Sequence, residues 1–189
     1  MNLGSTFSLL MIAAACACLP ACTKATDEKT AAAATAAFIA KHDYKGAVIS
    51  AKSALQTQPD SGEIRRLLGV SLLELGDPIA AAVELRKARE LGAPDATTLP
   101  PLAKALLAQR DAKQVLAQFA STRLEDAAAS AELKTAVATA HAILGDSTAA
   151  LETVSSALQE WPQHSSAKVL QARLAAAGGD TGRAMTLID

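Results

Sequence analysis

Three cysteines are the side chains of this 189-residue chain that are best suited to hold a metal. Cys16, Cys18 and Cys22 all lie close to the N-terminus, and the first two are separated by a single alanine. No neighbouring histidine or second cysteine pair completes the four ligands that a structural zinc ion needs. We therefore predict that the protein has no metal site.

The histidines and serines also lack a pattern typical of catalysis. His42, His141 and His164 are scattered, and the chain contains no GxSxG, HExxH, Walker or GxGxxG motif. Ser165 and Ser166, beside His164, have the pattern of a helix start with an N-cap serine rather than of a nucleophile. We predict a protein that is not an enzyme and that uses no cofactor or small-molecule substrate.

Five aspartates recur at almost constant spacing and could, as a group of carboxylates, bind cations. The interval before the fourth is one position longer than the others, and three of the five follow a glycine: Asp43, Asp77, Asp111, Asp146 and Asp180. Each lies between two Ala/Leu-rich stretches, which places it in a turn between helices rather than in a shared site. A turn between two helices about every 34 residues is the period of a tetratricopeptide (TPR) solenoid.

The composition agrees with an all-α fold. Half of the residues are hydrophobic and only 3% are aromatic, and alanine, the best helix former, supplies much of the apolar content. We predict a TPR solenoid of about five units, with the last one incomplete, so that a longer protein would continue it. The predicted units are 30–60, 61–94, 95–129, 130–163 and 164–189.

The third unit departs from this pattern, and we expect a local distortion there. Pro100-Pro101 should delay its first helix, because proline lacks the backbone N–H that a helix interior uses. Arg110 stands where the second, fourth and fifth turns have glycine, and the loop around Leu124 to Ala128 takes up the one extra residue.

Small residues recur where the two helices of a unit should cross. They match the small sites of the TPR consensus and are predicted to allow close packing of the repeats: Gly69, Ala81, Ala88, Ala150 and Ala157. A bulky side chain at such a crossing would push the helix axes apart.

The N-terminus has the pattern of a targeting segment. Phe7 to Leu19 is apolar but too short to span a bilayer core, which needs about 20 residues. The sequence from Leu19 to Cys22, LPAC, resembles a bacterial lipobox. That resemblance implies a signal peptide at 1–21, lipid attachment at Cys22 and a tether at 22–29. Because Thr23 replaces the aspartate that retains lipoproteins in the inner membrane, it also implies the periplasmic face of the outer membrane. An ordinary cleaved signal peptide and a non-secreted chain are the alternatives.

The stretch from Ile64 to Gln109 is similar to a narrower family. Its order LLG…LELGDP…ELRKA…LGAP…LPPLAKALLAQ resembles the N-terminal repeats of the TPR lipoproteins of the PEP-CTERM/exosortase system, of the PrsT type. The resemblance implies a scaffold associated with exopolysaccharide biosynthesis and export and with surface protein sorting. The alternatives are a general envelope-assembly TPR lipoprotein, serving outer-membrane protein insertion or pilus assembly, and the regulatory repeats of a longer enzyme such as a glycosyltransferase.

The expected partners are other proteins of the cell envelope. The formal net charge is −1 and there is no basic stripe, so nucleic acid is not an expected partner. Thr135 and Thr139 stand where a receptor for chaperone tails would have Lys and Asn, which disfavours that class. The concave surface should be the binding face, although the same residues could be ordinary packing and solubility positions: Arg66, Val70, Leu73, Lys104 and Leu107.

Overall fold

The computed structural model describes residues 20–179 together with residues 182 and 185, with side chains from Asp27 onward. Most of the predicted signal peptide (residues 1–19), the side chain of Cys22, and Asp180 lie outside this part of the chain. Within it, no helix combines the length and the apolar character that a membrane span requires.

The described residues form nine helices and no strand. Their bounds are α1 Pro20–Ala40, α2 Tyr44–Thr57, α3 Gly62–Glu74, α4 Pro78–Glu90, α5 Asp95–Ala108, α6 Ala112–Phe119, α7 Ala127–Ile143, α8 Ser147–Glu160 and α9 Ser165–Ala177. We call the odd-numbered helices the A helices and the even-numbered helices the B helices.

The A helices form a continuous layer. Each packs against the next A helix along the chain. Between B helices, a side-chain hydrogen bond from Arg86 of α4 to Gln114 of α6 is present, but their backbones do not pack closely in the described part of the chain. Each B helix packs instead between the A helix before it and the A helix after it. One face of the molecule is therefore built from adjacent A helices, and the B helices lie behind it.

The four described aspartates lie in A-to-B turns, as predicted, and each caps the B helix that follows. The side chain of Asp77 accepts a hydrogen bond from the Ala80 N–H at 3.0 Å, and equivalent bonds are made by the caps of α2, α6 and α8. Each cap bonds an N–H group that the first turn of a helix leaves without a partner. The recurring aspartates thus begin the B helices.

The third turn keeps the geometry of the others, although Arg110 replaces glycine. Arg110 has φ +63°, and Gly76 at the equivalent place has φ +82°. The Asp111 N–H donates to the Leu106 carbonyl at 3.0 Å, just as the Asp77 N–H donates to the Leu72 carbonyl at 2.9 Å. The expected distortion therefore does not lie in this turn. Its departure is that a non-glycine residue adopts the left-handed conformation, as His42 with φ +57° does in the first turn.

The prediction that Pro100-Pro101 delays the third A helix is wrong. Helix α5 begins at Asp95 and runs through both prolines. Three leucines on one side of this helix are almost completely buried: Leu99, Leu102 and Leu106. Burying each contributes about 1.5–3 kcal/mol, which together outweighs the two backbone hydrogen bonds that the prolines cannot make.

The irregularity of the third unit lies in its B helix. Helix α6 has 8 residues, whereas α4 has 13 and α8 has 14. The loop at 120–126 then leads into α7, which begins at Ala127 and so ahead of the predicted unit boundary at 129/130. The Asp126 side chain fixes this start, because it accepts a hydrogen bond from the Ala129 N–H at 2.7 Å.

Residues 22–29, predicted as a tether, are helical and belong to α1. The segment from 21 to 40 contains neither glycine nor proline and is rich in alanine, so nothing in it breaks a helix. The Glu28 carboxylate also accepts a 2.6 Å hydrogen bond from Ser61 Oγ at the start of α3. This bond joins the supposed tether to the solenoid.

One of the small residues named above, Gly69, lies at a close helix crossing, and the other four are buried. A Cβ atom on Gly69 of α3 would lie 2.6 Å from Leu85 Cγ and 3.2 Å from the Ala81 carbonyl oxygen of α4. Every alanine of the set is fully buried: Ala81, Ala88, Ala150 and Ala157. The α3–α4 crossing therefore has no room for a side chain at position 69.

Candidate functional site

Two grooves lie on the face formed by the A helices. The N-terminal groove, between α3, α5 and the start of α7, has a volume of about 480 Å³ and is lined by Arg66, Val70, Leu73, Glu74, Ala96, Thr97, Pro100, Pro101, Lys104, Asp126, Ala128, Ala129, Glu132 and Trp161. The C-terminal groove, between α5, α7 and α9, has a volume of about 460 Å³ and is lined by Lys104, Leu107, Glu132, Thr135, Ala136, Thr139, His164, Ser165, Ser166, Val169, Leu170 and Arg173.

All five residues predicted for the concave face line these grooves. Arg66, Val70, Leu73 and Lys104 border the N-terminal groove, and Leu107 borders the C-terminal groove together with Lys104. The structure thus brings them onto one face. That they bind a partner stays a prediction.

Both positively charged side chains that line the N-terminal groove, Arg66 and Lys104, are in ion pairs. The guanidinium of Arg66 makes two hydrogen bonds to the Glu63 carboxylate, at 2.8 and 2.6 Å. Lys104 of α5 bonds to Glu132 of α7. Since Lys104 and Glu132 line both grooves, their ion pair marks the boundary between them.

The residues predicted for the concave face omit some that line the grooves and that the repeat spacing could have identified. Lys104 lies one repeat after Val70, and the equivalent positions in the next two repeats are Thr139 and Arg173. Both of these line the C-terminal groove. The position of Arg66 repeats in the same way at Pro100, Thr135 and Val169, all of which are groove residues.

An aromatic pair lies at the B-to-A turn between α8 and α9. The rings of Trp161 and His164 are stacked, with centroids 5.0 Å apart and planes 14° apart. Trp161 lines the N-terminal groove and His164 the C-terminal groove. Burial lowers the pKa of His164 below its ordinary value; the charge of Glu132 raises it and that of Lys104 lowers it further. The imidazole is therefore mainly neutral near pH 7.

The other two histidines each lie near one residue close to them in sequence. His42 Nδ1 lies 2.9 Å from the Tyr44 hydroxyl, and His141 Nδ1 lies 3.8 Å from a carboxylate oxygen of Asp146. In the part of the chain that the structure describes, no three His, Cys, Asp or Glu residues lie close enough together to hold a metal ion.

The side-chain hydroxyls of Thr135 and Thr139 both donate to carbonyls of their own helix.

The opposite face carries its own exposed side chains. Val83 on α4 is 56% exposed and lies beside the charged residues Glu84 and Lys87. Glu84 pairs with Arg65 of α3 at 2.9 Å, and Lys87 pairs with Glu90 within α4. This face therefore offers positions for control substitutions away from the grooves.

Several solved structures have the same fold. PilF of Pseudomonas aeruginosa aligns with a TM-score of 0.71 at 15% identity, covering 88% of this chain and 77% of that one. A MamA RS-1 double mutant aligns at 0.68 and 15%, covering 85% and 90%. YrrB, a TPR protein with an unusual peptide-binding site, aligns at 0.62 and 16%, covering 88% of each.

These likenesses confirm the predicted all-α TPR solenoid. No protein-family model matches the sequence, and no curated protein is significantly similar to it. At 15–16% identity the structural likeness establishes the fold alone.

Proposed function

We propose that this protein is a non-enzymatic scaffold that holds a peptide segment of a partner protein against the layer of A helices. The observation that carries the proposal is the pair of grooves on this face, with volumes of about 480 and 460 Å³. Apolar side chains line both, with Val70 and Leu73 in one groove and Leu107 and Val169 in the other. The similarly folded YrrB, with its peptide-binding site, gives this use of the fold a precedent.

Paired substitutions on the two faces test this proposal. Val70→Arg fills the N-terminal groove, whereas Val83→Arg adds the same side chain on the back of the molecule. Proteins captured from an envelope extract should be lost with Val70→Arg and retained with Val83→Arg. Circular dichroism would confirm that both variants are folded. Capture that is equal with both variants would contradict binding in the groove.

We propose that this scaffold lies in the cell envelope. A lipid on Cys22 anchors it at the periplasmic face of the outer membrane. The lipobox-like LPAC sequence supports this anchor. Incorporation of radiolabelled palmitate should therefore be detected in the wild type and vanish in Cys22→Ala. An unlabelled wild-type protein would remove the anchor from the proposal.

Within the envelope, we propose a role beside exopolysaccharide export and PEP-CTERM protein sorting, supported by the sequence pattern from Ile64 to Gln109. A general role in envelope assembly is the second candidate, since it needs only the anchor and the grooves. The identity of the captured partners separates the two. Components of polysaccharide export or sorting would favour the first, and outer-membrane insertion or pilus proteins the second.

A further inference from the structure

Acidic groups outnumber basic groups around the N-terminal groove. Glu74, Asp126 and Glu132 line it, against Arg66 and Lys104. Glu63 of α3 already binds Arg66, and Glu132 binds Lys104. The cations of the groove are therefore neutralised from within, and an incoming side chain meets an excess of negative charge.

The two prolines of α5 leave one uncharged acceptor free of its helical donor on the same side of the groove. In a helix, each carbonyl points toward the N–H group four residues further on. For Thr97 that residue is Pro101, and the alternative donor three residues on is Pro100; neither proline has an N–H group. Thr97, Pro100 and Pro101 all line the N-terminal groove. The Thr97 carbonyl is thus left without its helical partner, on a residue that lines the groove.

An aromatic surface completes the site. Trp161 is 38% exposed and lines the same groove. An indole ring attracts a cation placed over its face. Carboxylates, a carbonyl and an indole all favour a ligand that brings N–H groups and positive charge.

We propose that the N-terminal groove binds an extended peptide segment that contains a lysine or arginine. The basic side chain contacts the carboxylates that line the groove, and one main-chain N–H of the peptide donates to the Thr97 carbonyl. This inference rests on the proposed function, because it names the chemistry of the segment that the groove would hold.

The charge preference is tested by selection from a random hexapeptide library on the immobilised protein. Bound peptides should be enriched in Lys and Arg over the input library. The affinity of a selected peptide is then measured by the fluorescence of Trp161, the only tryptophan of the chain. Glu74→Lys should weaken that peptide about 3- to 10-fold, the range of one or two exposed charge pairs. Val83→Arg, on the opposite face, should leave it unchanged.

The role of the Thr97 carbonyl is tested by Pro101→Ala, which returns an N–H group to it. We expect affinity to fall about 2- to 10-fold, the range of one hydrogen bond, while the melting temperature holds or rises. Methylation of the critical peptide nitrogen should weaken binding to the wild type but add little in Pro101→Ala. Pro78→Ala, in the first turn of α4 and outside the groove, is the matched control.

The outcomes separate this inference from the proposed function. Selected peptides that are acidic or uncharged would overturn the charge preference but leave peptide binding standing. Unchanged affinity in Pro101→Ala would overturn the role of the Thr97 carbonyl. A library that yields no bound peptide would overturn the proposed function, and this inference with it.

Discussion

A methyl group at position 69 tests how closely α3 and α4 pack. In Gly69→Ala, the new Cβ would lie 2.6 Å from Leu85 Cγ and 3.1 Å from Leu85 Cδ2. Carbon atoms in favourable contact are about 3.5–4.0 Å apart, so the side chain of Leu85 must move by about 1 Å. Leu85 is completely buried and has little free space to move into.

Two opposing effects set the expected magnitude. Replacing a glycine inside a helix by alanine stabilises it by about 1 kcal/mol. Overpacking a tight core costs about 1–3 kcal/mol. We therefore expect Gly69→Ala to lower the free energy of unfolding by about 1 kcal/mol, although alanine is the better helix former.

In a protein that also carries Leu85→Ala, the effect of Gly69→Ala on the free energy of unfolding should have the opposite sign. Leu85→Ala alone should cost about 2–5 kcal/mol, because it leaves a cavity. In that background the atoms that clash with the new methyl group are absent, and Gly69→Ala should stabilise by up to about 1 kcal/mol. The coupling energy between the two sites should then be about 1–3 kcal/mol.

Urea unfolding followed by circular dichroism in the far ultraviolet measures all four proteins of this cycle. Comparable dependence on urea concentration would show that the variants unfold in the same way. If Gly69→Ala stabilised the wild type by the full helix-propensity value and did not couple to Leu85, the close crossing would be refuted.

Other predictions concern the turns, the repeat packing and the stacked histidine. Arg110→Gly should raise the free energy of unfolding by about 0.5–1 kcal/mol, because glycine adopts a positive φ without strain; a lower melting temperature would contradict this. Ala81→Leu should cost about 1–3 kcal/mol through overpacking, which a melting curve identical to that of the wild type would exclude. Because burial depresses the pKa of His164 below 6.5, the unfolded chain takes up the proton first. Stability should therefore fall as the pH drops through about 6.5 toward the lower folded-state pKa. His164→Gln should flatten this slope, and an imidazole NMR titration with a midpoint at or above the ordinary histidine pKa would disprove the shift.

Much of the fold could be predicted from one spacing. The aspartates, one in each repeat, mark the A-to-B turns because a short acidic side chain is well suited to accept from the free N–H groups of a starting helix. By the same spacing, Lys104, Thr139 and Arg173 are equivalent to Val70 in the following repeats. The sequence therefore also indicated which positions of the A helices line the grooves.

The remaining features depend on packing, which local patterns do not reveal. Pro100 and Pro101 favour a helix break by their own preferences, but the burial of the leucines around them keeps α5 intact. Trp161 belongs to a turn, and it reaches the N-terminal groove only because of how neighbouring repeats stack. The carbonyl of Thr97 lacks a helical donor only because α5 continues through both prolines, which the sequence pattern did not predict.

The central claim is that partners bind in the grooves between the A helices, and site-specific photo-crosslinking tests it most directly. A photoreactive benzoylphenylalanine would be placed at Leu73 in the N-terminal groove or at Val83 on the opposite face, and cross-linked peptides would be identified by mass spectrometry from cells that produce the protein. The account predicts a defined partner segment attached at position 73 and none at position 83. Partner segments attached at position 83 alone would contradict it.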